Sequence, residues 1–140
     1  MRNRIPPVIL AVLLAGCANP VLVFQPYPPD FKYVPHHEIR TAMDRMADEV
    51  VHIDRIVRGR QSLNADERAT LSELLEELKT QAAGLRGSAA VTNHPMLNAH
   101  LDAFLAEVNS ARDSVVMEPP NYFLAGSITG ACLACHNGGR

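Results

Sequence analysis

From His36 onward, apolar residues return every three or four positions, and that spacing leaves the chain little choice but helix. Ile39, Met43, Met46, Val50, Ile53 and Val57 step by four, three, four, three and four, so all six share one face. Gly59 stops this first helix, with Arg58 and Arg60 beside the negative end of its dipole. Asn64 and Glu67 have the spacing of a capping box and open a second helix. Its stripe is Leu71, Leu74, Leu75, Leu78, Ala82 and Leu85, and it ends within residues 84–87. Asn93 or His94 ahead of Pro95 opens a third helix, striped by Leu97, Leu101, Phe104, Leu105, Val108 and Val115. Pro119-Pro120 breaks the chain, and Asn121 caps a fourth helix that runs to about His136. No stretch alternates like a strand, and no repeat is visible. Four such segments on short connections predict an all-α domain, an antiparallel up-down-up-down four-helix bundle.

The fourth helix differs from the others. Ala125, Gly126, Ser127, Thr129, Gly130, Ala131 and Ala134 leave it bare, which suits either a tight helix crossing or a flat cofactor against its backbone. The chain is 47% hydrophobic but only 5% aromatic, without Trp, so its core has little bulky filling of its own.

That helix ends in Cys132-Leu133-Ala134-Cys135-His136, the attachment signature of c-type haem. Each thiol adds to a haem vinyl group, and positions i, i+3 and i+4 share one helical face, so the imidazole reaches the iron beside both thioethers. The motif predicts one covalent haem c near the C-terminus, held by Cys132 and Cys135, with His136 as proximal iron ligand. Three rivals fit less well. A thioredoxin-like dithiol follows a strand in a βαβ unit, which this pattern lacks. A zinc site needs two more ligands, and no second cysteine pair supplies them. A disulfide between Cys132 and Cys135 would be strained on a helix and leaves His136 unexplained.

Four helices with the haem motif at the extreme C-terminus resemble the class II cytochromes c, meaning cytochrome c-prime and its low-spin relatives. Gly130-Ala131 before the motif and Arg140 four residues beyond His136 add to the resemblance, as does the Arg58-Gly59 close of the first helix. It covers about residues 36–140. In that family a basic residue at the place of Arg140 lies on the proximal side of the haem. The chain departs from the pattern at Gly139, where a Tyr is common, at Arg40, displaced by one residue, and in the lipid anchor argued below. The resemblance also bears on the sixth iron position. Counting back from Arg58-Gly59 puts Met43 there, with Met46 one turn further on as the alternate. A Met thioether there implies low-spin haem suited to electron transfer, whereas an apolar residue implies an open site that binds small gases. Both methionines are equally gap-filling core residues by type. Of the other histidines, His52 is off the stripe and solvated, His100 adjoins the third stripe, His94 belongs to a helix start, and ligation through His36 or His37 would need an unusual start to the first helix.

The N-terminus is read as a targeting segment. Arg2 and Arg4 precede an apolar run from Ile5 to Ala15, too short to span a bilayer and weakened as a helix by Pro6-Pro7. Leu14-Ala15-Gly16-Cys17 resembles the bacterial lipobox, which implies a diacylglyceryl group on the Cys17 sulfur and cleavage before it; an ordinary signal peptide with an incidental Cys is the alternative. Residues 1–16 are then signal peptide. Residues 17–35 are the lipidated Cys and a linker containing Pro20, Pro26, Pro28, Pro29 and Pro35, with Tyr27, Phe31 and Tyr33 between them. Residues 36–140 are the domain. Ala18 after Cys17 favours the outer membrane over the inner by lipoprotein resemblance.

A formal charge of −2 without a basic cluster argues against nucleic acid as a partner. No constellation of acid, base and nucleophile marks an enzyme. Two functions follow: a lipid-tethered periplasmic electron carrier working with periplasmic or membrane redox proteins, a homodimer being allowed, or a five-coordinate module for nitric oxide or carbon monoxide.

Overall fold

The computed structural model describes residues 27–137. Within them lie four helices, α1 (His36–Val57), α2 (Ala65–Arg86), α3 (Pro95–Val116) and α4 (Phe123–Asn137), and two short strands, β1 (Phe31–Lys32) and β2 (Val91–Thr92). The described part of the chain is all-α apart from that ribbon. Cys17, Arg140, Gly139 and residues 1–16, expected to be a signal peptide, lie outside the described residues.

Local chemistry explains the helix boundaries. α1 begins after extended Pro35, whose carbonyl accepts from the amides of Glu38 and Ile39. It ends where Gly59 takes a φ of 68°, a left-handed conformation that side chains resist. Gly87, at a φ of 61°, does the same for α2. The capping box at the other end of α2 is complete: Asn64 Oδ1 accepts from the Glu67 amide at 2.9 Å, and Glu67 Oε2 accepts from the Asn64 amide at 3.0 Å. Pro95 takes the first turn of α3, where its missing N–H has no partner to lose. Asn121 Oδ1 accepts from the Phe123 amide at 2.9 Å and starts α4.

Each helix packs on the next in sequence, and α4 closes back on α1. The predicted stripes form the core, with Ile53, Leu71, Leu75, Leu78, Val108, Val115 and Ile128 fully buried. Outside the core, ion pairs join neighbouring helices: Arg86 to Asp102, and Arg112 to Glu76.

The segment before α1 is part of this packing. β1 pairs in parallel with β2, Phe31 opposite Val91 and Lys32 opposite Thr92. Val34 is 0% exposed. Its amide donates to Asn93 Oδ1 at 2.7 Å, and its carbonyl accepts from Asn93 Nδ2 at 3.1 Å and from His94 Nε2 at 2.7 Å. Residues 31–34, expected to be part of a proline-rich spacer, are therefore fastened to the start of α3. Tyr27 stacks on Phe31 at 4.4 Å between ring centroids. Lys32 Nζ also donates to the Gly84 carbonyl near the end of α2, at 2.8 Å. The starts of α1 and α3 and the end of α2 thus meet at one end of the molecule. At the other, Arg68 near the start of α2 reaches Glu118 beyond α3 at 3.0 Å, and Gly126 of α4 lies against Val57 of α1.

Candidate functional site

At the end where Val34 is fastened, the four helices do not close. They leave a cavity of about 300 Å³ lined by Met43, Asp44, Met46 and Ala47 of α1, Ala82 and Leu85 of α2, Leu97, Leu101 and Phe104 of α3, and Cys132, Cys135 and His136 of α4. The lining is almost wholly apolar, and it opens to solvent beside the exposed Asp44, Ala47 and His136. Helical phase brings the α4 residues there together: the i, i+3, i+4 spacing turns both thiols and the imidazole to one side, while Leu133 between them is exposed.

All three residues of the attachment motif therefore share one space with both candidate methionines, from opposite ends of the domain's sequence. Met46 is buried and Met43 half-buried. Among the described residues His136 is the one histidine in the lining. His36, His37 and His52 are exposed; His36 instead meets His94 edge-on, 5.2 Å between ring centroids. No group of three or more His, Cys, Asp or Glu side chains able to hold a metal ion occurs among the described residues.

Cys132 and Cys135 are free and half-buried. Burial pushes both thiols above their ordinary range, and Cys135 and Glu107 add like-charge repulsion at Cys132. Both therefore stay protonated at neutral pH, unlike a redox dithiol, whose attacking sulfur is held as thiolate. Two neutral thiols, an imidazole and two thioethers around an apolar hollow form a donor set that fits a covalently held haem. They would supply two sulfur attachments, a proximal nitrogen and a choice of distal sulfur, in a lining with few other polar atoms.

The small residues of α4 do not all face the cavity. Ala125, Ile128 and Ala131 turn into the core, while Gly126 and Gly130 are exposed and outside the cavity lining. A larger but open and more polar hollow, about 760 Å³, lies at the opposite end between Asp54–Gln61 and Met117–Ser127. None of the candidate site residues lines it.

One buried polar pair was not anticipated from the sequence. Glu49 lies on the buried face of α1, and Gln81 Nε2 of α2 donates to its Oε1. Burial first, and the like charge of Glu77 second, push Glu49 up to about 7. The signal was a carboxylate at the apolar spacing, between Met46 and Ile53, which a stripe of hydrophobic letters passes over.

Comparison with protein-family models, with curated proteins and with solved structures finds no match to this chain.

Proposed function

We propose that this chain is a membrane-tethered monohaem c-type cytochrome, an antiparallel up-down-up-down four-helix bundle that carries electrons in the periplasm and is not an enzyme. The observation that carries the reading is the single apolar cavity into which Cys132, Cys135, His136, Met43 and Met46 all converge. The bundle topology is supported by the meeting of the starts of α1 and α3 with the end of α2 around Val34 and Lys32.

In this reading Cys132 and Cys135 hold the haem covalently and His136 is its proximal ligand. Met43, or Met46 as the alternate, provides the distal thioether. When bound, the haem supplies a one-electron iron couple. The surrounding residues set the conditions for it. Leu85, Leu97, Leu101, Phe104 and Ala82 keep water from the buried side, and an apolar wall favours the less charged state of whatever it encloses. His136 of α4 and Met43 or Met46 of α1, on two packed helices, would hold the iron from side chains that move little. The exposed rim at Asp44, Ala47 and His136 is where a redox partner would approach. Arg140, outside the described residues, is assigned to the proximal side by family resemblance. Cys17 lipidation would place the domain at the periplasmic face of a bacterial membrane, the outer one on the evidence of Ala18.

The test is the intact mass and absorption spectrum of the exported protein. One haem that survives acid–acetone extraction, lost in the double variant Cys132→Ala, Cys135→Ala, is the expected result; extractable haem or none defeats the proposal. Ferrous protein should be low-spin and bind carbon monoxide slowly, and Met43→Ala should turn it high-spin with ready binding. If Met46→Ala alone does so, the ligand is one turn further along. A wild-type protein already high-spin and avid for carbon monoxide selects the gas-binding reading.

A further inference from the structure

The hydrogen bond from Gln81 to Glu49 leaves two atoms over. Glu49 Oε2 and Gln81 Oε1 are the two buried side-chain polar atoms without a hydrogen-bond partner among the described residues. They belong to the two planar groups that the first bond already joins. Both are oxygens, so with Glu49 ionised neither can donate to the other, and each bears the cost of a buried acceptor left unmatched. One proton on Glu49 Oε2 would supply the donor that both oxygens lack: an acid and an amide side by side can exchange two bonds, the acid O–H to the amide oxygen and the amide N–H to the acid carbonyl. An ionised Glu49 would leave a charge on a residue only 9% exposed with a single donor beside it.

The charged surroundings do not rescue the ionised form. Glu77 faces it from α2 with like charge. α4, the other helix packed on α1, carries no Asp, Glu, Lys or Arg in its described length. On α1 itself Arg45 and His52, one turn to either side, are exposed; Arg45 shares a surface hollow with Gln81.

The pair is also close in sequence to the cavity lining, without itself lining it. Glu49 follows the cavity residue Met46 by less than one turn, and Gln81 precedes the cavity residue Ala82. We propose that Glu49 and Gln81 form a proton-binding site under the cavity floor, in which neutral Glu49 donates from Oε2 to Gln81 Oε1, and that this proton is taken up and released with the electron of the redox centre. The second half rests on the function proposed above. When one electron enters from a one-electron donor protein, one proton passes from solvent to Glu49 Oε2 and forms the O–H bond; on oxidation that bond breaks and both leave. The charge that an electron adds beside the cavity is thereby cancelled.

The experiment uses the full-length exported protein with ¹³C in its glutamate carboxyl groups. The Glu49 signal is identified by its loss in Glu49→Gln and followed by NMR against pH in both oxidation states. Glu49 should be protonated in the mildly acid range where ordinary carboxylates are ionised. Its titration should lie higher in reduced than in oxidised protein, by on the order of one pH unit. The reduction potential should fall with rising pH across that interval in wild type and stay level in Glu49→Gln. Gln81→Leu, which keeps the carboxyl but removes its partner, should displace the titration and serves if Glu49→Gln does not fold. An ionised Glu49 in the ordinary carboxylate range overturns the proton site. Identical titrations in the two oxidation states overturn the linkage. A chain without haem overturns the linkage together with the function it rests on, and the carboxyl titration in that same sample still decides the proton site.

Discussion

The two ends of the four helices are built from the same kinds of residue and finished differently. At one end Ile53, Leu71, Leu75, Val108, Val115 and Ile128 meet with almost no exposure, and side chains fill the space between the helices. At the other, Met43, Met46, Leu85, Leu97, Leu101 and Phe104 surround about 300 Å³ that they do not fill. The first is a protein core in the ordinary sense, close-packed and intolerant of change. The second has apolar walls, two thiols and an imidazole, and the softest hydrophobic side chain, Met, at two of its positions. The difference teaches that the vacancy is local. These helices can pack tightly, so the open end reflects which residues were placed there.

Truncations should expose that contrast most strongly. Leu75→Ala, at the filled end, should cost about 2–5 kcal/mol in urea unfolding. Leu101→Ala, in the wall of the cavity, should cost clearly less in the Cys132→Ala, Cys135→Ala background. One side of Leu101 already lacks neighbours there, so fewer contacts are lost. Equal costs would mean that the cavity is not a packing gap in that protein.

Glu49 sits at the border between the two ends and should give a smaller, pH-dependent effect. Its folded value of about 7 lies above the ordinary 4.5, so the folded state binds the extra proton between them. Stability from this group is then fully present below about pH 4.5 and is lost as pH rises through 7, by up to roughly 3 kcal/mol. Urea midpoints compared across that interval should fall in wild type and change much less in Glu49→Gln.

The smallest effect belongs to the filled end's boundary. Asn64→Ala removes one half of the capping box and should cost about 1 kcal/mol, read as a lower thermal midpoint with an unchanged spectrum. A spectral change would show that the two ends are coupled more closely than their packing implies.

How much of this could be read beforehand depended on whether the determinant was periodic. The stripes of α1, α2 and α3, the capping box at Asn64 and the stop at Gly59 are local patterns, and the structure places each where the spacing put it. The motif at Cys132 was legible for the same reason. Its meeting with Met43 was not a matter of spacing, since the two lie at opposite ends of the domain and only the packing of α4 on α1 joins them. β1 and β2 were invisible. Two residues each cannot show alternation, and their anchoring comes from the Asn93 side chain, which grips Val34 as a neighbouring strand would. Gly126 and Gly130, small residues that suited either a helix crossing or a flat cofactor, are exposed and outside the cavity lining. Glu49 was missed because one acidic residue scarcely interrupts an apolar stripe of six.

The grip on Val34 also imposes an order in time. Helices adjacent in sequence can pair as soon as each has formed, because little chain separates their contacts. Asn93 and Val34 are 59 residues apart, with all of α1 and α2 between them. Their bonds form only once those helices have docked and brought the ends of the loop together, since until then the closure entropy of the loop opposes them. Lying at the N-terminal margin of the domain, they are also among the first to part when the fold opens locally. The domain thus closes late and opens early at the spot where the chain leading from Cys17 arrives.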